Sequence, residues 1–158
     1  MKYYTSNLWS DMQASATKDI AFKQWTENDK IYAKYFNEIK DCFPKSFLKI
    51  FLKEHGFHDF FIDGITIKSI KRKTISDIIN IIISISNRSS NYDIELKNIE
   101  NTNINIINLT NCIFGKMSWG YSEFEILENN KFKLSVLCDI VNEFEFVFSK
   151  ISIRRQAK

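Results

Sequence analysis

The stretch FLKEHGFHDFFIDG, residues 51–64, holds both histidines of the chain, His55 and His58, together with Asp59 and Asp63. Imidazoles and carboxylates within nine positions could ligate a metal or form a general acid–base pair. The spacing argues for neither. Gly56 separates the histidines one residue past an apolar helical pattern, where a left-handed helix terminus is wanted. The two rings therefore do not project together as ligands on one helical turn do, and no further histidine exists to complete a metal's shell. His55, His58, Asp59 and Asp63 read instead as a structural polar cluster. His55 belongs to the last turn of a helix, where its ring can meet open carbonyls. The segment FHDFFIDG is the crossing into a sheet, with His58 and Asp59 expected as a buried hydrogen-bonded pair among aromatics. No metal and no cofactor is expected.

Other chemistries find less support. Serines are plentiful, but no G-x-S-x-G occurs, and Gly56, Gly64, Gly115 and Gly120 never form a phosphate-cradling loop. Cys42, Cys112 and Cys138 are scattered, without a C-x-x-C pair, which indicates neither a disulfide framework nor a thiolate zinc site. Two binding surfaces remain. Glu123, Glu125, Glu143 and Glu145 alternate with apolar residues and should share the outer face of adjacent strands; Trp119, in a loop over 115–120, is a further candidate partner anchor, with core or loop packing as its plainer reading. Lys45, Lys49 and Lys53, the segment IKSIKRKT (67–74), and Arg154 with Arg155 could meet an acidic partner or RNA. A solvated face is the plainer reading of each.

The elements that must position these residues divide the chain in two. From about Ala16 to Cys42, Trp25, Tyr32, Tyr35, Phe36 and Ile39 recur at helical steps, and Ser15 or Thr17 could cap the helix. Pro44 stops it and opens a second helix over 44–55, with Phe47, Leu48, Phe51 and Leu52 as its buried stripe. From Ile65 the period becomes two, as in half-buried antiparallel strands. Ile79 to Ile85, Tyr92 to Leu96, Phe132 to Cys138 and Phe144 to Phe148 each define a face. Strands change face near 106–107, between Tyr121 and Phe124, and after Phe148, which calls for bulges or bends. Cys138 should oppose Phe144, and Ile126 should oppose Phe132 across a turn in which Asn129 or Asn130 takes positive φ. The expected architecture is α+β: a single domain over 1–158, mainly helical over 1–56 and mainly strands over 57–155, with helices packed on an antiparallel sheet of about six strands.

Composition agrees with a packed domain, since 44% of the 158 residues are hydrophobic and 15% aromatic. The opening MKYYTSNLWS lacks the apolar core of a secretory signal, and the run IINIIISI is far too short to span a bilayer, so a cytoplasmic protein is expected. The formal net charge of +3 conceals a division. Residues 1–90 carry 14 Lys+Arg against 10 Asp+Glu, residues 91–148 carry 4 against 9, and residues 149–158 add four positive side chains. Separate basic and acidic surfaces follow, rather than one nucleic-acid footprint.

The opening MKYYTSNLW, the helical WTENDKIYAKYFNEIKDCFPKSFLKIFL, the junction HGFHDFFIDGITI and the late WGYSEFEIL together resemble the bacterial family termed domain of unknown function 4085. That resemblance implies no established activity and carries over no catalytic residue. By type, a small α+β protein without active-site motifs also resembles the immunity proteins of contact-dependent growth inhibition systems. This implies a non-enzymatic protein that binds and occludes a cognate toxin domain, with a basic toxin docking on Glu123, Glu125, Glu143 and Glu145. A nucleic-acid-binding or nucleic-acid-processing protein using the lysine-rich first half is the alternative.

Overall fold

The computed structural model describes residues 1–71, 77–105, 117–139 and 142–156. Three α-helices, α1 (Ser6–Gln13), α2 (Lys18–Ile39) and α3 (Lys45–Lys53), precede eight antiparallel strands. These are β1 (Phe60–Ile70), β2 (Ile78–Ser86), β3 (Asn91–Lys97), β4 (Asn101–Asn105), β5 (Met117–Leu127), β6 (Lys131–Cys138), β7 (Asn142–Phe148) and β8 (Lys150–Arg155). The architecture is α+β, with eight strands rather than about six. The count rises because β4 follows directly on β3 and β8 on β7, each separated by an irregular step.

Those two breaks also shape the sheet. β3 pairs with β8 while β4 pairs with β7, and the bonds Ser149 N–H to Lys97 O (3.0 Å) and Glu100 N–H to Val147 O (2.9 Å) carry the pairing across. The sheet, ordered β4-β7-β6-β5-β1-β2-β3-β8, therefore coils until its two ends run into each other. Its concave face is apolar: Ile81, Ile83, Ile85, Ile94, Leu96, Leu134, Val136, Phe144, Phe146 and Phe148 are all buried. Period-two alternation of β-branched and aromatic residues places them there.

Among the described residues the shortest ladder joins β1 to β5, with Phe60–Ile62 opposite Met117–Trp119. Beyond it α2 takes the place of a strand. The N–H of Phe124 donates to the Tyr32 hydroxyl at 2.7 Å, and that of Ile126 to the Tyr35 hydroxyl at 3.1 Å. Two donors of an open strand edge are thereby satisfied by side chains rather than by a neighbouring strand. Phe36, Phe43, Phe47 and Phe51 enter through the same opening to pack on Phe124. The helices thus complete the core that the sheet leaves open, and one buried cluster spans both halves.

Local signals hold in part: Phe47 and Phe51 of the expected α3 stripe are buried, while Leu52 is 53% exposed. Thr17 occupies the N-cap position of α2, but its hydroxyl donates to Asp11 O instead of capping. The preceding helix α1, capped by the Thr5 hydroxyl accepting from Leu8 N–H, is an addition to the expected elements. Ile126 does oppose Phe132, and both Asn129 and Asn130 have positive φ. The β6–β7 register is two residues away from that expected: Val136, not Cys138, opposes Phe144, and Cys138 opposes Asn142. An even slip keeps every side chain on its face, so the apolar pattern is blind to it, and only the turn decides. The bulge in β5 falls between Trp119 and Tyr121. A Cβ on Gly120 would lie 2.8 Å from the Leu137 carbonyl oxygen, so this position accepts glycine alone without movement. The face change near 106–107, Cys112 and Gly115 lie outside the described residues, as do residues 72–74 of the basic segment.

Candidate functional site

The convex face of β5 is where the expected acidic patch should be, and its four glutamates meet different fates. Cross-strand register does place them on one face: Glu123 opposite Ser135, which opposes Glu145, and Glu125 opposite Lys133. Glu123, however, is 0% exposed. Its carboxylate accepts the backbone N–H groups of Lys2, Tyr3 and Tyr4, each at 2.7 Å. The N-terminal segment is strapped across the sheet by this one side chain, as short charge-assisted bonds to a buried carboxylate would require. Glu125 is paired with Lys133 at 2.7 Å, and Glu145 lies 3.8 Å from the same ammonium. Burial pushes the Lys133 ammonium down, but the hydrogen bond and field of Glu125, then Glu145, outweigh this and hold it above the ordinary lysine range. Glu125, Glu143 and Glu145 are all partly exposed, and of these Glu125 and Glu145 share the Lys133 ammonium. Trp119 is 1% exposed and packs against Phe57, so it is a core residue and no partner anchor.

The strap leads to a second surface, which takes in part of the His–Asp cluster of the sequence. Tyr4 follows the residues clamped by Glu123 and stacks on Tyr121 at 5.1 Å, with Trp25 edge-on to the same ring at 4.7 Å. Here, between the end of the β1–β5 ladder and the start of the α2 contacts, neither strand nor helix closes the wall. A groove of about 540 Å³ remains. α2 contributes Asp29, which accepts the Tyr4 hydroxyl at 2.6 Å. The turn before β1 contributes His55, His58 and Asp59. The bulge of β5 contributes Gly120 and Tyr121.

The turn is built from unusual backbone. α3 ends at Lys53, and the chain passes through a 3₁₀ turn, His55–Phe57, so His55 lies beyond the helix instead of in its last turn. Gly56 has φ 70°, as a helix terminus wants, but His55, Phe57 and Asp59 also have φ of 50°, 65° and 67°. Non-glycine residues hold such angles only where surrounding contacts over-determine them. Phe57, fully buried against Phe51, Phe60 and Trp119, is that contact. With Phe57 pinned inward, its neighbours must face out.

His58 and Asp59 are paired as expected, with Nδ1 3.0 Å from Oδ2, but they are not buried: their side chains are 39% and 86% exposed. His58 stands edge-on to Tyr121 at 4.8 Å. Asp63 lies on β1 at the register shift beside Gly64, exposed and away from the groove lining. The four polar residues of the sequence cluster are therefore split, three at the groove and one outside it. Burial raises the Tyr121 phenol above its ordinary value, and the carboxylates of Asp29 and Asp59 raise it further. Burial likewise raises Tyr4, followed by its bond to Asp29. Both phenols stay protonated in the physiological range, so the groove's fixed charges are carboxylates.

Sequence reasoning missed Asp29, Tyr4 and Tyr121. They come from three distant segments, and a signal existed only for Asp29, an acid one turn from Trp25 on the edge of the aromatic stripe. Among the described residues, no group of three or more His, Cys, Asp or Glu is placed to hold a metal ion. Among the described residues no helix is long and apolar enough to cross a membrane. The fold and groove define an α+β protein whose helices seal a coiled sheet beside an acidic, aromatic-walled cleft. Comparison with family models, curated proteins and solved structures found no match for the chain.

Proposed function

We propose that this chain is a protein-binding immunity protein, which neutralises a cognate bacterial toxin by stoichiometric occlusion in the cytoplasm. One observation carries the reading: an open groove whose walls are tyrosines and whose fixed charges are carboxylates, suited to a basic protein surface. Tyrosine offers large contact area at low conformational cost, and complementary charge speeds encounter and sets specificity. The resemblance of the opening, junction and WGYSEFEIL segments noted above belongs to the same proposal. The docking centre lies at the groove, with Glu143 and Glu145 at most a flank, because Glu123 and Glu125 are engaged within the protein. Occlusion needs no catalytic residue.

The test is co-expression with the C-terminal domain encoded by the neighbouring gene. Protection and co-purification should be lost with Asp59→Lys and weakened little by Glu143→Lys. If the unaltered chain neither protects against nor binds any neighbouring product, the immunity reading fails.

The lysines of α3 favour a second reading, nucleic-acid binding, since Lys45, Lys49 and Lys53 are all exposed. Phosphate contacts release counterions, so RNA affinity would then fall steeply with salt. Weak binding without that slope removes this alternative.

A further inference from the structure

We infer that the groove recognises a guanidinium group, presented by an arginine side chain of the partner protein. The source of that group rests on the immunity reading; its chemical nature rests on the groove.

Two exposed carboxylates line the groove from separate elements, Asp29 from α2 and Asp59 from the turn before β1. Each spends one oxygen inside the protein. Asp29 Oδ1 accepts the Tyr4 hydroxyl, and Asp59 Oδ2 meets His58 Nδ1. Among the described residues, the second oxygen of each has no partner. A carboxylate is an acceptor only, with room for about four hydrogen bonds, so both have capacity for N–H donors. Among the described residues no lysine or arginine lines the groove to supply them.

Asp29, Asp59 and Tyr121 line the same groove, and both acids raise the Tyr121 phenol, so both fields reach a shared volume. An anion entering there meets two like charges. A cation meets two opposite ones, beside the rings of Tyr4, His58 and Tyr121. Between the two common protein cations, the planar guanidinium has five donors in a fixed fork and can bridge separate carboxylates, while an ammonium is a compact, strongly hydrated point charge. The internal bonds to Tyr4 and His58 hold the acids in place beforehand, which reduces the ordering cost of binding. The site is small enough to select a side chain and open enough to admit the backbone that carries it.

The experiment titrates the full chain with the tripeptide Gly-Arg-Gly, its citrulline and lysine counterparts, and spermidine, following backbone amide shifts by NMR. Gly-Arg-Gly should give saturable shifts at residues 55–59 and 120–122. The citrulline peptide, equal in shape but uncharged, should bind about tenfold more weakly or worse, as should Asp29→Asn and Asp59→Asn with the arginine peptide. The lysine peptide should fall between. No saturable shift at millimolar peptide, equal affinity for citrulline, or indifference to both substitutions overturns the inference. Spermidine binding more tightly than the arginine peptide overturns it in favour of a site for free polyamines. Failure of the peptide with toxin protection intact removes the guanidinium site and leaves the immunity reading standing. Peptide binding with no protection by any neighbouring product does the reverse.

Discussion

The convex face of β5–β7 and the groove beside Tyr121 are both acidic on paper, yet they differ in what their carboxylates have left to offer. Glu123 is saturated by three backbone donors, and Glu125 and Glu145 share Lys133. Asp29 and Asp59 also spend one oxygen each inside the protein, but on the Tyr4 hydroxyl and the His58 ring, and among the described residues no lysine or arginine lines their groove to neutralise them. Counting acids on a face therefore says little about binding. What matters is how far the protein itself has already satisfied them, since a paired, hydrogen-bonded carboxylate presents little charge to a newcomer.

The contrast can be broken at several points. The largest effect should come from the core that supports both surfaces. Phe146→Ala and Trp25→Ala should each cost about 3–5 kcal/mol in denaturant unfolding, because both remove buried aromatic volume from the shared cluster. A near-neutral Phe146→Ala would show that the concave face of β7 is not the packed one.

Glu123→Ala should cost about 3 kcal/mol, since it strands buried N–H groups of Tyr3 and Tyr4. It should also loosen residues 1–5 selectively, seen as faster amide hydrogen exchange there. If Glu123 were a surface acid like Glu143, the substitution would be silent, and the distinction between the two faces would collapse.

Gly120→Ala should cost about 2 kcal/mol, through the collision of its Cβ with the Leu137 carbonyl. It should also shift NMR signals at the groove, which the β5 bulge shapes. Smaller still, His58→Ala should cost about 1 kcal/mol through its contact with Tyr121. Added zinc should leave the melting temperature of the unaltered chain unchanged; a zinc-dependent rise abolished by His58→Ala would make the groove a metal site instead.

The smallest effect concerns pH and the closure of the sheet. Burial pushes the Asp93 carboxyl up, but hydrogen bonds from Arg154, Ser84 and Gln156 overcome this and hold it below the ordinary carboxylate value. A depressed folded value means stability that is present at neutral pH and lost as the carboxyl protonates, below about pH 4. Arg154→Ala should flatten that acid limb, measured as stability against pH, while leaving the groove's spectra unaltered.

Much of the framework was legible because it depends on period and punctuation. The helical steps of Trp25, Tyr32 and Phe36 and the alternation of Phe144, Phe146 and Phe148 named buried residues correctly, since burying a stripe or a face is what makes such segments stable. Pro44, Gly56 and the Asn129–Asn130 turn marked real boundaries. Asp59 and His58 were seen as a pair, but their exposure was misjudged. The surrounding aromatics in sequence are not those around them in space, because Phe57 and Phe60 turn inward and leave them outside.

The rest belongs to tertiary structure. Sequence periodicity by itself determined which residues face a core and the α+β order of elements, because those follow from contacts within one element. The meeting of β3–β4 with β7–β8, the use of Tyr32 and Tyr35 to finish the β5 edge, and the capture of Glu123 by the N-terminal strap all join residues far apart in the chain. So does the groove, which lies where the β1–β5 ladder ends at Phe60 and Trp119 and before α2 resumes the wall further along. No local pattern encodes where one ladder ends relative to another element's arrival; that is fixed by packing the whole core, and with it which carboxylates are left facing solvent.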